Sequence, residues 1–200
     1  MAQKLLYFII HKPYRVLSQF TDEDGNPGLG SIFDLPRDIY PVGRLDLDSE
    51  GLLLLTNDRK LNHKLLDPKF SHWRKYWVQV EGEPNTEALD KLRSGVEINL
   101  KGKKHTTLPA RVSVVEPTGI VERDPPVNYA KHPVTSWWQI ELHEGKNRQV
   151  RRMFASVGHP VLRLVRVGIE DLSLFPLLSG EISQISPKVL HRKLFGSQAS

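Results

Sequence analysis

Four consecutive leucines, Leu52 to Leu55, place the tightest constraint on how this chain folds. A run so short and so uniformly apolar has no polar face to offer water, so it belongs in an interior strand. Asn57 or Asp58 then caps a short helix whose Leu61 and Leu65 share one face. Immediately before the leucines stands Gly43-Arg44-Leu45-Asp46-Leu47-Asp48-Ser49-Glu50-Gly51, with three carboxylates in five residues.

Other segments follow simple patterns. Leu5 to Ile10 is predicted to be a buried strand stopped at Lys12-Pro13, and the stretch from Thr21 to Pro41 to be loops with at most a short helix near Ile32-Phe33. Tyr76, Val78 and Val80 alternate with Trp77, Gln79 and Glu81, which predicts a strand with one buried face. Asn85 to Ser94 has helical spacing, closed by Gly95. Val96 to Leu100 is expected to pair with Ala110 to Val114 as a hairpin with a long basic tip at Lys101 to Lys104, and Pro117 to Pro133 to be loop. Trp138, Ile140 and Leu142 mark another strand. Strands outnumber helices and most connections are hairpin-length, so the expected class is α+β on a largely antiparallel mixed sheet flanked by helices.

About two fifths of the 200 residues are apolar, enough for one well-cored domain or two lobes sharing an interface. Cysteine is absent, which excludes disulfides, thiolate metal sites and cysteine nucleophiles and points to the cytoplasm. Leu5 to Ile10 is too brief to span a bilayer. The eight histidines show no ligand spacing and no phosphate-cradling glycine loop precedes a helix, so neither a metal nor a nucleotide cofactor is expected. A net charge of +5 and a pI near 9.4 favour a polyanionic partner.

Two places concentrate that chemistry. On a helix from Asn147 to Val157, Arg148, Arg151 and Arg152 fall on one arc, and Val150, Met153, Phe154 and Val157 on the other, with Gly158 as the stop. Three grouped guanidinium groups suit phosphates or a carboxylate, although a solvated basic face has the same spacing. The nearest acids in sequence are Glu141 and Glu144. The acidic stretch at 46 to 50 reads as a turn, as a carboxylate pair, or as one carboxylate retained in a basic protein with an arginine partner.

These residues carry a resemblance. Gly-Arg-Leu-Asp at 43–46 followed by Gly-Leu-Leu-Leu-Leu-Thr-Asn-Asp at 51–58 resembles the signature of the RsuA/RluB/RluE/RluF pseudouridine synthases. His11 to Ser18, Lys75 to Val78 and Gly145 to Met153 match in the family's order, so the likeness covers almost the whole chain. It is strongest to the RluE branch, which acts on large-subunit (23S) ribosomal RNA and has no S4 RNA-binding domain. The resemblance implies the pseudouridine synthase catalytic fold over residues 3–195, with two lobes around a central cleft. It also implies a cofactor-free isomerisation of uridine by a cytoplasmic monomer acting on precursor ribosomal RNA. Asp46 matches the family's catalytic aspartate, as nucleophile or base. Tyr76 matches the tyrosine that stacks on the base and assists loss of the C5 proton, and Arg151 the basic residue paired with the aspartate. Tyr14, Arg15, Arg44, Lys146, Arg148 and Arg152 fall at substrate-contacting positions. Leu47, Lys146 and Arg59 depart from the usual family residues. Competing readings are a synthase for transfer RNA or small-subunit RNA, and a non-catalytic RNA-binding or ribosome-assembly protein of the same fold. Intact Asp46, Tyr76 and Arg151 speak against the second.

Overall fold

The computed structural model describes residues 4–196. Its main sheet runs β11-β1-β3-β9-β4-β8-β7, where β1 is Tyr7–Lys12, β3 Glu50–Thr56, β4 Arg74–Glu81, β7 Arg111–Val114, β8 Thr135–Leu142, β9 Val161–Ile169 and β11 Ile182–Gln184. Two short strands, β2 (Tyr40–Pro41) and β10 (Leu172–Ser173), add to β3 and β9. All pairings are antiparallel except β3 with β9, which meet in parallel over only two residue pairs, Glu50 with Val165 and Gly51 with Arg166.

Helices cover both faces. One face carries Leu52, Leu54, Val165, Val167 and Trp77 and is closed by Leu61 and Leu65 of α1 (Arg59–Leu66) and by Leu190 and Leu194 of α4 (Pro187–Phe195). Asp58 caps α1 by accepting from the amides of Lys60 and Leu61. The other face holds two separate apolar clusters. Ile10, Leu53 and Leu55 pack under the loops carrying Val16, Leu29, Phe33 and Leu45. Val78, Val80, Ile140 and Leu164 pack under α2 (Thr86–Ser94) and α3 (Gln149–Ser156).

The four leucines are fully buried, alternating between the two faces, as an interior strand requires. Several expectations need correction. The first strand starts at Tyr7 and runs through Lys12, because Leu5 is exposed while His11 and Lys12 are buried. The stretch from Thr21 is loop as expected, its short helix being one 3-10 turn, Leu29–Ser31, capped at Ile32. β4 is buried on both faces, since Trp77 and Gln79 lie in the middle of a sheet with helices on either side. The long basic hairpin does not form. Lys101 and Gly102 both take positive φ, a two-residue turn that pairs β5 (Glu97–Leu100) with β6 (Lys103–Thr106), while β7 pairs with β8.

Leu54 has no exposed surface. Leu54→Ala should therefore cost about 2–5 kcal/mol, from lost transfer energy and a residual cavity, measured by chemical denaturation.

Candidate active site

Asp46 and Asp48 lie on the turn that leads into β3, and this turn is held from three directions. Ser18 Oγ donates to the Leu45 carbonyl at 2.8 Å and accepts from the Leu45 amide at 3.0 Å. The Arg15 amide donates to the Leu47 carbonyl at 2.9 Å, and the Ser49 amide to Asp46 O at 3.0 Å. Behind it, fully buried Lys12 donates through Nζ to the carbonyls of Pro13 and Val16. Burial brings the Lys12 ammonium down to about 8, against the opposing pull of Glu50, Asp48 and Asp46.

The arginines reach this turn from α3. Arg148 Nη1 and Nη2 donate to the two Asp48 carboxylate oxygens at 2.8 and 2.7 Å, a bidentate fork, and Nη1 lies 3.8 Å from Asp46 Oδ2. Arg151 donates through Nη2 to the Asp48 carbonyl at 2.6 Å and through Nη1 to the Val161 carbonyl at 3.1 Å, with Nε 3.3 Å from Asp48 Oδ2. Burial alone would raise the Asp48 carboxyl, but the Arg148 hydrogen bonds and the Arg151 charge outweigh it and hold the group below its ordinary range. Among the described residues the Asp46 carboxylate accepts no hydrogen bond, and one third of its side-chain surface is exposed.

The arginine partner expected for Asp46 is thus placed differently. Arg151 is bound to Asp48, and the one ion pair of Asp46 among the described residues is the longer contact to Arg148. Nor are the three arginines one array. Arg148 precedes the helix, at φ 51° and ψ 34°, and Arg152 donates to the carbonyls of Asn99 and Asn147, tying α3 to β5. Arg15 also has positive φ. Left-handed backbone at two non-glycine residues costs on the order of 1–3 kcal/mol each, and both flank the Asp46 turn.

Tyr76 is set by register. Lys12, Gly51, Arg166, Tyr76, Ile140 and Val112 are successive cross-strand partners on β1, β3, β9, β4, β8 and β7, so they form one row facing the same side of the sheet. The polar part of this row lies between the two apolar clusters of that face. Gly51, at φ 106°, lets β3 and β9 approach closely here, because a Cβ there would collide with the Arg166 backbone. A bulge between Lys75 and Tyr76 leaves Val167 as the extra residue and turns the strand at this point. Arg166 is buried and donates through Nε to the Leu52 carbonyl at 2.8 Å; burial pulls its guanidinium below the ordinary value, and neighbouring Tyr76 works against that shift.

The third carboxylate serves elsewhere. Glu50 points to the opposite face, where both its oxygens accept from Arg163 at 2.8 Å with both side chains buried. Arg163 and Arg166 escaped the sequence reading, yet two arginines within the otherwise apolar run Val161 to Ile169 signal buried charges that require partners. Of the remaining candidates, Arg44, Arg15 and Lys146 are exposed, and Tyr14 is half-buried beneath the Arg123 guanidinium at 3.9 Å.

The family model described as RNA pseudouridylate synthase matches residues 6–156, three quarters of the chain and all of the elements bearing Asp46, Tyr76 and Arg151. The chain belongs to this family. The synthase is 48% identical over 177 residues to the ribosomal large subunit pseudouridine synthase E of Vibrio parahaemolyticus, covering 88% of this chain and 72% of that protein. It is 49% identical over 176 residues to the protein of that name from Xanthomonas campestris, covering 86% and 91%. A solved structure described as a pseudouridylate synthase matches with a TM-score of 0.78 at 26% identity, over 96% of this chain and 75% of that one. The chain is an isomerase of the pseudouridine synthase fold, and the α+β expectation holds.

Because the Glu50–Arg163 pair is buried, removing one partner leaves the other charge uncompensated. Glu50→Ala should destabilise the synthase by about 3–5 kcal/mol in denaturant titration, and replacing both residues with methionine should recover much of that loss.

Proposed function

We propose that this enzyme converts a uridine of large-subunit (23S) ribosomal RNA to pseudouridine, acting as a cytoplasmic monomer on the assembling subunit's precursor RNA. The names of its relatives support the substrate. The observation that carries the mechanism is the contrast between two neighbouring carboxylates. Asp48 takes the arginine fork, whereas the Asp46 carboxylate, in the same turn, accepts no hydrogen bond among the described residues and is partly open.

Atoms balance without any cofactor. The bond from C1′ to N1 breaks, uracil turns while bound, C1′ bonds to C5, the C5 proton leaves, and N1 ends protonated. Asp46 acts as nucleophile or base on the sugar side of this exchange. Tyr76 stacks on uracil and assists removal of the C5 proton. Arg151 fixes the Asp46 turn by holding the Asp48 backbone, which makes it a positioning residue. Arg148 places positive charge beside both carboxylates. Arg15, Arg44, Tyr14 and Lys146 contact the RNA at the rim, and the two apolar clusters are the cores of two lobes on either side of the cleft.

Chemical mapping of pseudouridine in ribosomal and transfer RNAs, from cells with and without the protein, tests the substrate. One large-subunit position should disappear and return with the wild-type protein; loss of a transfer-RNA or small-subunit position instead would refute the assignment. Asp46→Asn should fold and bind RNA yet lose essentially all single-turnover isomerisation, and near-normal turnover would remove Asp46 from the chemistry.

Tyr76→Phe keeps the stacking ring and removes the phenolic oxygen. RNA affinity should be retained while tritium release from C5-labelled uridine fails. Normal release would restrict Tyr76 to stacking, a contact typically worth about 1–3 kcal/mol per base.

A further inference from the structure

Beside the Asp48–Arg151 bridge, the segment between β7 and β8 folds back toward Tyr14 and closes a cavity of about 420 Å³ whose lining includes neither Asp46 nor Tyr76. That volume lies in the range of sites for small organic ligands and is far more than one phosphate needs. Val127, Val161 and Leu162 give it apolar surface. Its permanent charges are the cations Arg123, Lys131 and Arg151 against the single carboxylate of Asp48, and both oxygens of that carboxylate are already held by Arg148.

Arg123 is the informative residue. Its guanidinium lies over the Tyr14 ring at 3.9 Å, while its Nε and Nη1 are buried and find no acceptor among the described residues. Buried donors left unsatisfied are costly, and an anionic acceptor entering the cavity removes that cost once Arg123 turns toward it. Cations at the wall and apolar surface within are the two halves of nucleotide recognition: one part holds a phosphate and the other a base.

We infer that this cavity binds a nucleotide of the substrate RNA flanking the target uridine, with its phosphate on Arg123 and Lys131 and its base against Val127, Val161 and Leu162. The segment from Val115 to Val134 then acts as a specificity element that selects RNA able to present two nucleotides, one to each site. This rests on the ribosomal RNA reading above, which it extends from the reacting base to its neighbour.

The test measures affinity of wild type, Arg123→Ala and Lys131→Ala for the RNA fragment containing the mapped uridine, across a range of KCl. Fragments whose flanking phosphates are replaced one at a time by neutral methylphosphonates complete the set. Each variant should bind several-fold more weakly, and the log–log salt slope should fall by about 0.7 per lost contact on single-stranded RNA. One methylphosphonate position should weaken wild type clearly more than it weakens Arg123→Ala, in which only the Lys131 contact is left to lose, and turnover at saturating RNA should fall far less than affinity. Lys131 is exposed, so its variant reports binding even if Arg123→Ala lowers the melting temperature. Unchanged affinity and slope in both variants would overturn the inference, as would methylphosphonate penalties identical in wild type and Arg123→Ala. Competition by inorganic phosphate as effective as that by RNA would replace it with a free-anion site. Conversion of the fragment by wild type is scored separately. Its absence would sink the ribosomal RNA reading, whereas conversion with unchanged variant affinity would sink the flanking pocket alone.

Discussion

The fold depends on how one short seam is bridged. Two antiparallel half-sheets, β11-β1-β3 and β9-β4-β8-β7, meet where β3 and β9 run parallel for two residue pairs. So few backbone hydrogen bonds cannot by themselves fix two halves against each other, and the seam is reinforced by charge. Glu50 and Arg163 cross it on one face, and Arg166 reaches from β9 to the Leu52 carbonyl of β3. At its end Arg148 and Arg151 join α3 to the Asp48 turn. Each bridge is directional, so together they fix the separation and the angle of the two halves. Asp46 and Tyr76 belong to different halves, and whatever sets the seam therefore sets their relative position.

Three carboxylates in five residues are an odd composition for the RNA-facing side of a basic protein, and their placement explains it. Glu50 is turned away to the opposite face and neutralised. Asp48 takes a fork from Arg148 and a contact from Arg151, so its charge is spent inside the protein. Of the three, Asp46 alone has a carboxylate that accepts no hydrogen bond among the described residues. Arg148, 3.8 Å away, supplies positive charge without taking the hydrogen-bonding positions. Two of the carboxylates are thus scaffolding, and they leave the third available for the proposed chemistry.

Local features were legible in the sequence. Periodicity located β3, β4, β8, α1, α2 and α3 but not α4, and Asp58, Asn85 and Gly95 marked helix ends where the structure has them. What escaped the sequence was pairing across distance. Arg148 and Asp48 are one hundred positions apart, and nothing local to either names the other; helical spacing assigned Arg148 to an arc with Arg152, but the residue stands outside the helix in left-handed backbone. The hairpin was misjudged because apolar alternation continues through both β5 and β7, and the deciding signal was the Lys101-Gly102 turn. The motif at 43–58 pointed to Asp46 through resemblance alone, since an acidic stretch ahead of a strand is usually just a turn.

The row from Lys12 to Tyr76 also constrains how RNA is bound. It lies between two apolar clusters, on the sheet where Gly51 lets β3 and β9 approach closely. A base inside a stack cannot reach such a floor, so the uridine must leave its neighbours at a cost of a few kcal/mol, less where the RNA is already unpaired. On the proposed reading Asp46 and Tyr76 meet only the extruded nucleotide and gain nothing until extrusion has occurred. The energy that offsets it has to come from contacts made to the rest of the strand. On the same reading the exposed cations Arg15, Arg44 and Lys146, on segments adjoining the turn and α3, supply that energy through phosphates, which every sequence carries. Phosphate contacts alone would extrude any uridine equally well. Selectivity must therefore reside where the protein meets something other than backbone charge, and the part-apolar cavity beside Arg151 has that character outside the reacting site.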